Sequence, residues 1–332
     1  MNTKAVNTDS KINESLTNLF QTLDFSGAIF IAQDETVLLR KGYALADRDR
    51  AMPNTPQTRF RIGSLTKQFT AMAILILQNQ GRLKVQDRIC NYFSQCPAAW
   101  QEITIHHLLS HTSGIIDFTE LAGFHHTKAA PTTPLQTIAR FKDLPLAFTP
   151  GEMWSYSNSG YIVLGYIIEQ ASGQSYETFL KQNIFDPLQM TNTGYDHQDG
   201  SLAVGYTSGW QKPDDIDMTV PFAAGGLYAT IDDLYLWDQA LYTEKLVPKT
   251  LMNLMFTSQV RMSGFEASYG YGWFIDTVDH RQAILHGGAI EGFSSYLLRH
   301  PAQKVTIIIL SNCDTYNTVE LAMTISSILF QK

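Results

Sequence analysis

Three short motifs carry residue types that together could perform acyl transfer: Ser64-Leu65-Thr66-Lys67, Tyr156-Ser157-Asn158 and His286-Gly287-Gly288, each occurring once in the chain. A serine hydroxyl is a poor nucleophile near neutral pH unless a neighbour takes its proton. Lys67, three residues on, shares a face with Ser64 if the segment is helical. Burial disfavours the ammonium form, so Lys67 could act as a base or as a positive charge that activates a second base. Tyr156 is the natural second base, because a phenol beside a cation loses its proton more easily and can relay it to a leaving group. Asn158 offers an amide that could orient Lys67 and bind the carbonyl side of a substrate.

The third motif is expected at the end of a strand over residues 283–286, with Gly287 and Gly288 letting backbone approach a substrate closely. The N–H of Ala289 could then share an oxyanion hole with the N–H of Ser64. His286 is expected to line the same cleft, partly protonated near neutrality. Taken singly, each motif also has an ordinary structural explanation. Ser64 reads as a helix N-cap, Tyr156 as an aromatic packed at a loop-to-helix junction, and His286 as a surface residue in a glycine turn.

These residues need a scaffold, and the hydrophobic pattern supplies one. Residues 27–32 and 36–42 are apolar, β-branched runs separated by Gln33-Asp34-Glu35, which predicts a hairpin. Residues 59–62 form a third short extended piece. A long helix, apolar on several faces, is predicted to begin at the serine, run over residues 65–80 and stop at Gly81. Further helices are expected over 105–110, 135–141, 161–171, 176–183 and 231–242. Strand texture returns at 271–278, 282–286, 293–299 and 305–310. Helices over 10–23 and 318–330 carry one apolar face each and should pack on the sheet. Strands at both ends with helices between them imply an α+β fold: an antiparallel sheet flanked by terminal helices, with a helical lobe inserted. The expected division is a discontinuous sheet lobe, 1–62 plus 243–332, and a mainly helical lobe, 63–242, with the site in the cleft between them.

The chain has 332 residues and a formal net charge of -7. That balance argues against nucleic acid as a partner, which requires a dense basic surface. Apolar runs fall far short of the ~20 residues that span a bilayer, so no integral membrane segment is expected. The first residues lack the pattern of a secretory leader, which points to the cytoplasm, or to the periplasm or exterior if a leader was removed. Cys90, Cys96 and Cys313 form a sparse, odd set and are read as free thiols; a Cys90 to Cys96 bridge would imply export.

Arg61-Ile62-Gly63-Ser64-Leu65-Thr66-Lys67-Gln68-Phe69-Thr70-Ala71 resembles the nucleophile segment of the class C β-lactamase and penicillin-binding-protein superfamily. The segments Ile105-His106-His107-Leu108-Leu109-Ser110-His111-Thr112-Ser113-Gly114, Ala223-Ala224-Gly225-Gly226-Leu227 and His286-Gly287-Gly288 are similar to that family as well, over a stretch from about residue 25 to 312. The resemblance implies a β-lactamase/DD-peptidase-like fold and a serine hydrolase without cofactor or metal. Ser64 attacks a carbonyl, Tyr156 serves as base with Lys67 as its electrostatic support, and Ser64 and Ala289 N–H groups hold the oxyanion. His286-Gly287-Gly288 departs from the Lys-Thr-Gly of typical class C lactamases and removes a permanent cation. Such versions occur among D-amino-acid peptidases, DD-carboxypeptidases and esterases of the superfamily, so the expected partner is a small acyl substrate, an ester or a D-aminoacyl amide. The alternatives are a β-lactam-hydrolysing or penicillin-binding DD-carboxypeptidase, and a slowly turning-over acylated receptor or assembly protein. The oligomeric state is left open.

The histidines at 106, 107, 111, 125 and 126 invite a metal reading, since His107 and His111 lie one helical turn apart. No Glu stands between them as in zinc hydrolases, and the resemblance gives this stretch to a helix under the cleft. Residues 118–133 and 206–218 are expected to form the cleft rim.

Overall fold

The computed structural model describes residues 12, 14–21, 24–262 and 264–331. Strand pairing builds an eight-stranded sheet in the spatial order Thr36–Tyr43, Gly27–Gln33, Val305–Ser311, Phe293–His300, Arg281–Ile290, Phe274–Val278, Ser268–Tyr269, Val260–Arg261. Each neighbouring pair is antiparallel. The strands Gly27–Gln33 and Val305–Ser311, from opposite ends of the sequence, therefore pair within one sheet, and the chain between them supplies most of the helices.

Successive side chains of a strand point to opposite faces, and here both faces are covered. Ala28, Phe30, Ala32, Ile308 and Leu310 join one core with the helices. Ile29, Ile31, Ile307 and Ile309 join a second core with Leu16, Leu321, Ile325 and Leu329. Double burial explains why these strands read as continuous apolar runs. Thr318–Phe330 is the expected terminal helix. In the expected helix 10–23, Ile12 and residues 14–21 are helical, and the other positions lie outside the described residues.

The helix Thr66–Asn79 buries each of residues 66–77, which accounts for its all-round apolar sequence. It ends in a Schellman closure: Gly81 N–H bonds Gln78 O and Arg82 N–H bonds Leu77 O, with Gly81 at φ +70°. Ser64 precedes the α-helix in a 3₁₀ turn, Gly63–Leu65, and makes no side-chain cap. Phe60–Arg61 joins Leu227–Ala229 and Gly194–Tyr195 in a small separate sheet.

Two expectations are corrected. Cys90 and Cys96 form a disulfide, with Cα atoms 5.3 Å apart, because the chain between them brings the two cysteines within bonding reach; Cys313 is a free thiol. The third motif does not end a strand: Arg281–Ile290 continues through Gly287 and Gly288.

Candidate active site

Strand Phe274–Val278 covers only residues 281–285 of its neighbour, so residues 286–290 run on without it and pack against the turn Gly63–Leu65. Ser295, one strand further in, donates its hydroxyl to Ile62 O at 2.8 Å and fastens sheet to turn. Gly288 makes that approach possible. A Cβ there would fall 2.1 Å from Ile62 O and 3.0 Å from Ser64 N. The backbones of Ser64 and Ala289 thus border one spot, and Ser64 and Ala289 line one cavity.

Lys67 is fully buried. Its Nζ lies 3.1 Å from Ser64 Oγ, 2.8 Å from Asn158 Oδ1 and 2.8 Å from Ala224 O. The last two oxygens can only accept, so they take two N–H bonds of the amine. In a neutral amine the remaining position is a lone pair, and it faces the Ser64 hydroxyl. Loss of hydration drives the Lys67 pKa down to about 7, with the Asp117 charge opposing the fall.

Tyr156 brings its ring within 4.8 Å of Lys67 Nζ, and its hydroxyl interacts with Ser64. Ser157 caps the helix Asn158–Ser172 by accepting from Gly160 N–H, which sets Tyr156 just before the helix and Asn158 at its first turn. The expectation that this phenol ionises easily is corrected: burial pushes it well above its ordinary value, and the interaction with Ser64 only partly offsets that.

The expectation for His286 is also corrected. It is 1 % exposed and is absent from the cavity lining. Its Nδ1 meets the carbonyl of Gly287 at 2.6 Å and must carry the proton, leaving Nε2 to accept from Tyr269 Oη at 3.1 Å. Burial, with the Lys67 charge second, drives its pKa down to about 3. A neutral, buried imidazole contributes no charge to the cleft. Its place in mid-strand, not at a turn, is the reason.

Three other histidines each engage one ring nitrogen. His106 Nδ1 meets Tyr271 Oη, His107 Nδ1 accepts from Thr104 N–H, and His111 Nδ1 accepts from Ser157 N–H. The expected rim segments do contribute: Phe118, Thr119, Phe124 and Ile216 line a cavity of about 220 Å³ over Ser64. Among the described residues Glu291 is its one charged lining residue, and Glu291 and Ile216 also belong to a wider groove of about 910 Å³. Asp117 was not singled out from sequence. It accepts from Asn158 N and Nδ2 through one oxygen and from Thr119 N and Oγ1 through the other. A lone Asp in a loop carries no spacing signal that would have shown it.

A sheet built from both chain ends, helices inserted between, and a serine at the head of a buried helix with a lysine one turn on define a β-lactamase-type serine hydrolase. The Beta-lactamase family profile matches residues 16–328, and the chain belongs to that family. It is 31% identical over 334 residues to penicillin-binding protein 4* of Bacillus subtilis, spanning 93% of this chain and 73% of that one. Among solved structures, an octameric penicillin-binding protein homologue from Pyrococcus abyssi superposes with TM-score 0.84 at 28% identity, covering 96% of this chain and 77% of the other. A D-stereospecific amidohydrolase from Streptomyces shares the fold, with TM-score 0.78 at 24% identity and 97% coverage of both chains.

Proposed function

We propose that this hydrolase works through a Ser64 acyl-enzyme on small esters or aminoacyl amides, in a cleft between a sheet lobe (1–62 plus 243–332) and a helical lobe (63–242). The observation that carries the reading is the Lys67 amine, held by two fixed acceptors so that its third position faces Ser64 Oγ. Neutral Lys67 takes the Ser64 proton as Oγ bonds to the substrate carbonyl carbon. The carbonyl oxygen, now negative, is met by the N–H groups of Ser64 and Ala289. Tyr156 hands a proton to the leaving group as the C–O or C–N bond breaks and is reprotonated from Lys67. Water then attacks the ester by the reverse proton path, and Ser64 is released.

The cavity favours an acyl group that is compact, largely apolar and not anionic. Its walls include Phe118, Phe124, Ile216, Val220 and Ile290, and Glu291 would repel a carboxylate. This supports esters and aminoacyl amides over β-lactams or peptides whose carboxylate must be bound beside the scissile bond. The Cys90–Cys96 disulfide supports an oxidising compartment as the place of work.

The test is covalent labelling. Mixing the protein with a chromogenic short-chain ester should give a burst followed by steady turnover, with intact-mass analysis showing one acyl group on Ser64. Wild-type protein that takes up no acyl group would remove the reading. A label that forms and never leaves would favour an acylated receptor instead.

A further inference from the structure

We infer that Asp117 is a positioning residue, which fixes the orientation of the Asn158 amide toward Lys67 and thereby aims the lysine amine at Ser64. The inference rests on the proposed roles of Ser64 and Lys67, and its starting point is a question of symmetry. An asparagine side chain presents an oxygen on one side and an NH₂ on the other, nearly equal in shape. Only the oxygen end can accept from the Lys67 amine. With the NH₂ end there, the two donors would repel, and Lys67 would lose one of the two acceptors that hold it.

Asp117 decides the matter. Its Oδ2 stands 2.9 Å from Asn158 Nδ2 and 3.0 Å from Asn158 N. A carboxylate oxygen accepts and never donates while ionised, so the Nδ2 end must face Asp117 and the Oδ1 end must face Lys67, where it lies 2.8 Å from Nζ. The carboxylate is itself immobilised. Its other oxygen takes Thr119 N and Thr119 Oγ1, at 3.0 and 2.9 Å, and the residue is 8 % exposed. It also lies at the first turn of the helix Asn158–Ser172, where a negative charge is favoured. Thr119 lines the acyl cavity, so one carboxylate joins the catalytic amine to the substrate wall.

The position has an electrostatic consequence. The ionisable groups around Lys67 are Tyr156 and Tyr161, whose rings lie 4.8 and 5.4 Å away, and His111, His286 and Asp117. Burial keeps the tyrosines and histidines neutral at working pH. Asp117 is the negative charge that holds the Lys67 pKa up against desolvation.

The experiment compares wild type, Asp117→Asn and Asp117→Glu by Ser64 labelling, by circular dichroism and by the pH profile of kcat/KM on a neutral ester. Asp117→Asn removes the charge and puts a donor beside Thr119 or Asn158. Its kcat/KM should fall on the order of 10- to 100-fold, the scale of a misplaced catalytic group, and its acidic limb should move to lower pH while the fold is retained. Asp117→Glu keeps the charge in a displaced position, so its rate should fall with the limb unmoved. An Asp117→Asn protein with both wild-type rate and wild-type limb overturns the inference, as does a rate loss with no movement of the limb, the signature of structural damage alone. If Asp117→Asn does not fold, Asp117→Ser decides by the same two readouts: a lowered rate with the limb moved to lower pH supports the inference, and an unmoved limb overturns it. Failure of the underlying reading looks different, because the wild-type protein would then take no label on Ser64.

Discussion

Tyr269 donates its hydroxyl to His286 Nε2 at 3.1 Å, so the imidazole that sequence placed in the cleft is spent inside the protein. Its Nδ1 proton goes to the Gly287 carbonyl, and its pKa is driven down to about 3. His286 is therefore neutral over the range in which such an enzyme works. Lys67, with its pKa near 7, is the group that changes charge there. The proposed base must be neutral, so kcat/KM should rise as pH increases through about 7 and level off above it. His286→Gln should leave that midpoint where it is, even if it slows the reaction. A midpoint that disappears in His286→Gln would return the titration to the histidine.

The proposed oxyanion site depends on a close approach rather than on a side chain. In Gly288→Ala the new methyl would meet Ile62 O at 2.1 Å, Ser295 Oγ at 2.4 Å and Ser64 N at 3.0 Å. Two of these three are backbone atoms, and they cannot step aside cheaply. The strand carrying Ala289 must move away from Ser64, and kcat/KM should fall by roughly 10² to 10³, the range for a lost oxyanion donor. Steady-state kinetics on a neutral ester would show it mainly in kcat. An unchanged kcat would mean that the Ala289 N–H does not meet the oxyanion.

Much of this was legible because the sequence carried chemistry at spacings that local structure turns into contact. Ser64 and Lys67 are three apart at the head of a helix, the hairpin 27–43 is set by its apolar runs, and Gly81 stops a buried helix. Other features depend on what packs nearby. His286 was expected at a strand end lining the cleft because two glycines follow it, but the strand continues, and Gly288 admits Ile62 and Ser64 to it. Tyr156 was expected to lose its proton easily beside a cation, whereas desolvation pushes its phenol up and the Lys67 amine down. The Cys90–Cys96 bridge was the alternative to free thiols in the sequence, because a spacing of six fits both.

The Cys90–Cys96 bridge closes a short loop, so its effect on the unfolded chain is modest. Chain-entropy scaling for a loop of this length gives about 2 kcal/mol. The double variant Cys90→Ser with Cys96→Ser should unfold a few degrees lower than wild type under non-reducing conditions. Differential scanning calorimetry with and without reductant would check it, since reductant should lower the wild-type midpoint and leave the variant unmoved. Equal midpoints in all four samples would show that the bridge adds nothing.

Asp238 and Arg299 form an ion pair with Nε 2.8 Å from Oδ1 and side chains 0 and 2 % exposed. Asp238 Oδ2 also accepts from Thr306 Oγ1 at 2.6 Å, so the helix Ile231–Ala240 is tied to two central strands. Removing one partner strands the other charge out of water. Asp238→Ala should cost about 3–5 kcal/mol, the scale for a broken buried pair, measured by urea denaturation. A loss below about 1 kcal/mol, the level of an exposed pair, would show that water reaches Arg299 in the variant.

Substrate choice should follow the charge of the cavity wall. Glu291 bonds Lys128 Nζ at 2.7 Å and is the charged residue that the cavity presents, while Lys128 itself is 5 % exposed and does not line it. A carboxylate placed against that wall meets the Glu291 carboxylate first, with the Lys128 cation behind it. Acylation rates measured across a series of matched neutral, amine-bearing and carboxylate-bearing esters should therefore rank the carboxylates last, and benzylpenicillin should acylate Ser64 more slowly than a neutral ester of similar reactivity. Raising the salt concentration should narrow the gap, because Glu291 lies at a solvent-connected mouth where charge is screened. Carboxylate esters that react as fast as neutral ones at low salt would mean that another group binds the anion, and that Glu291 does not set the preference.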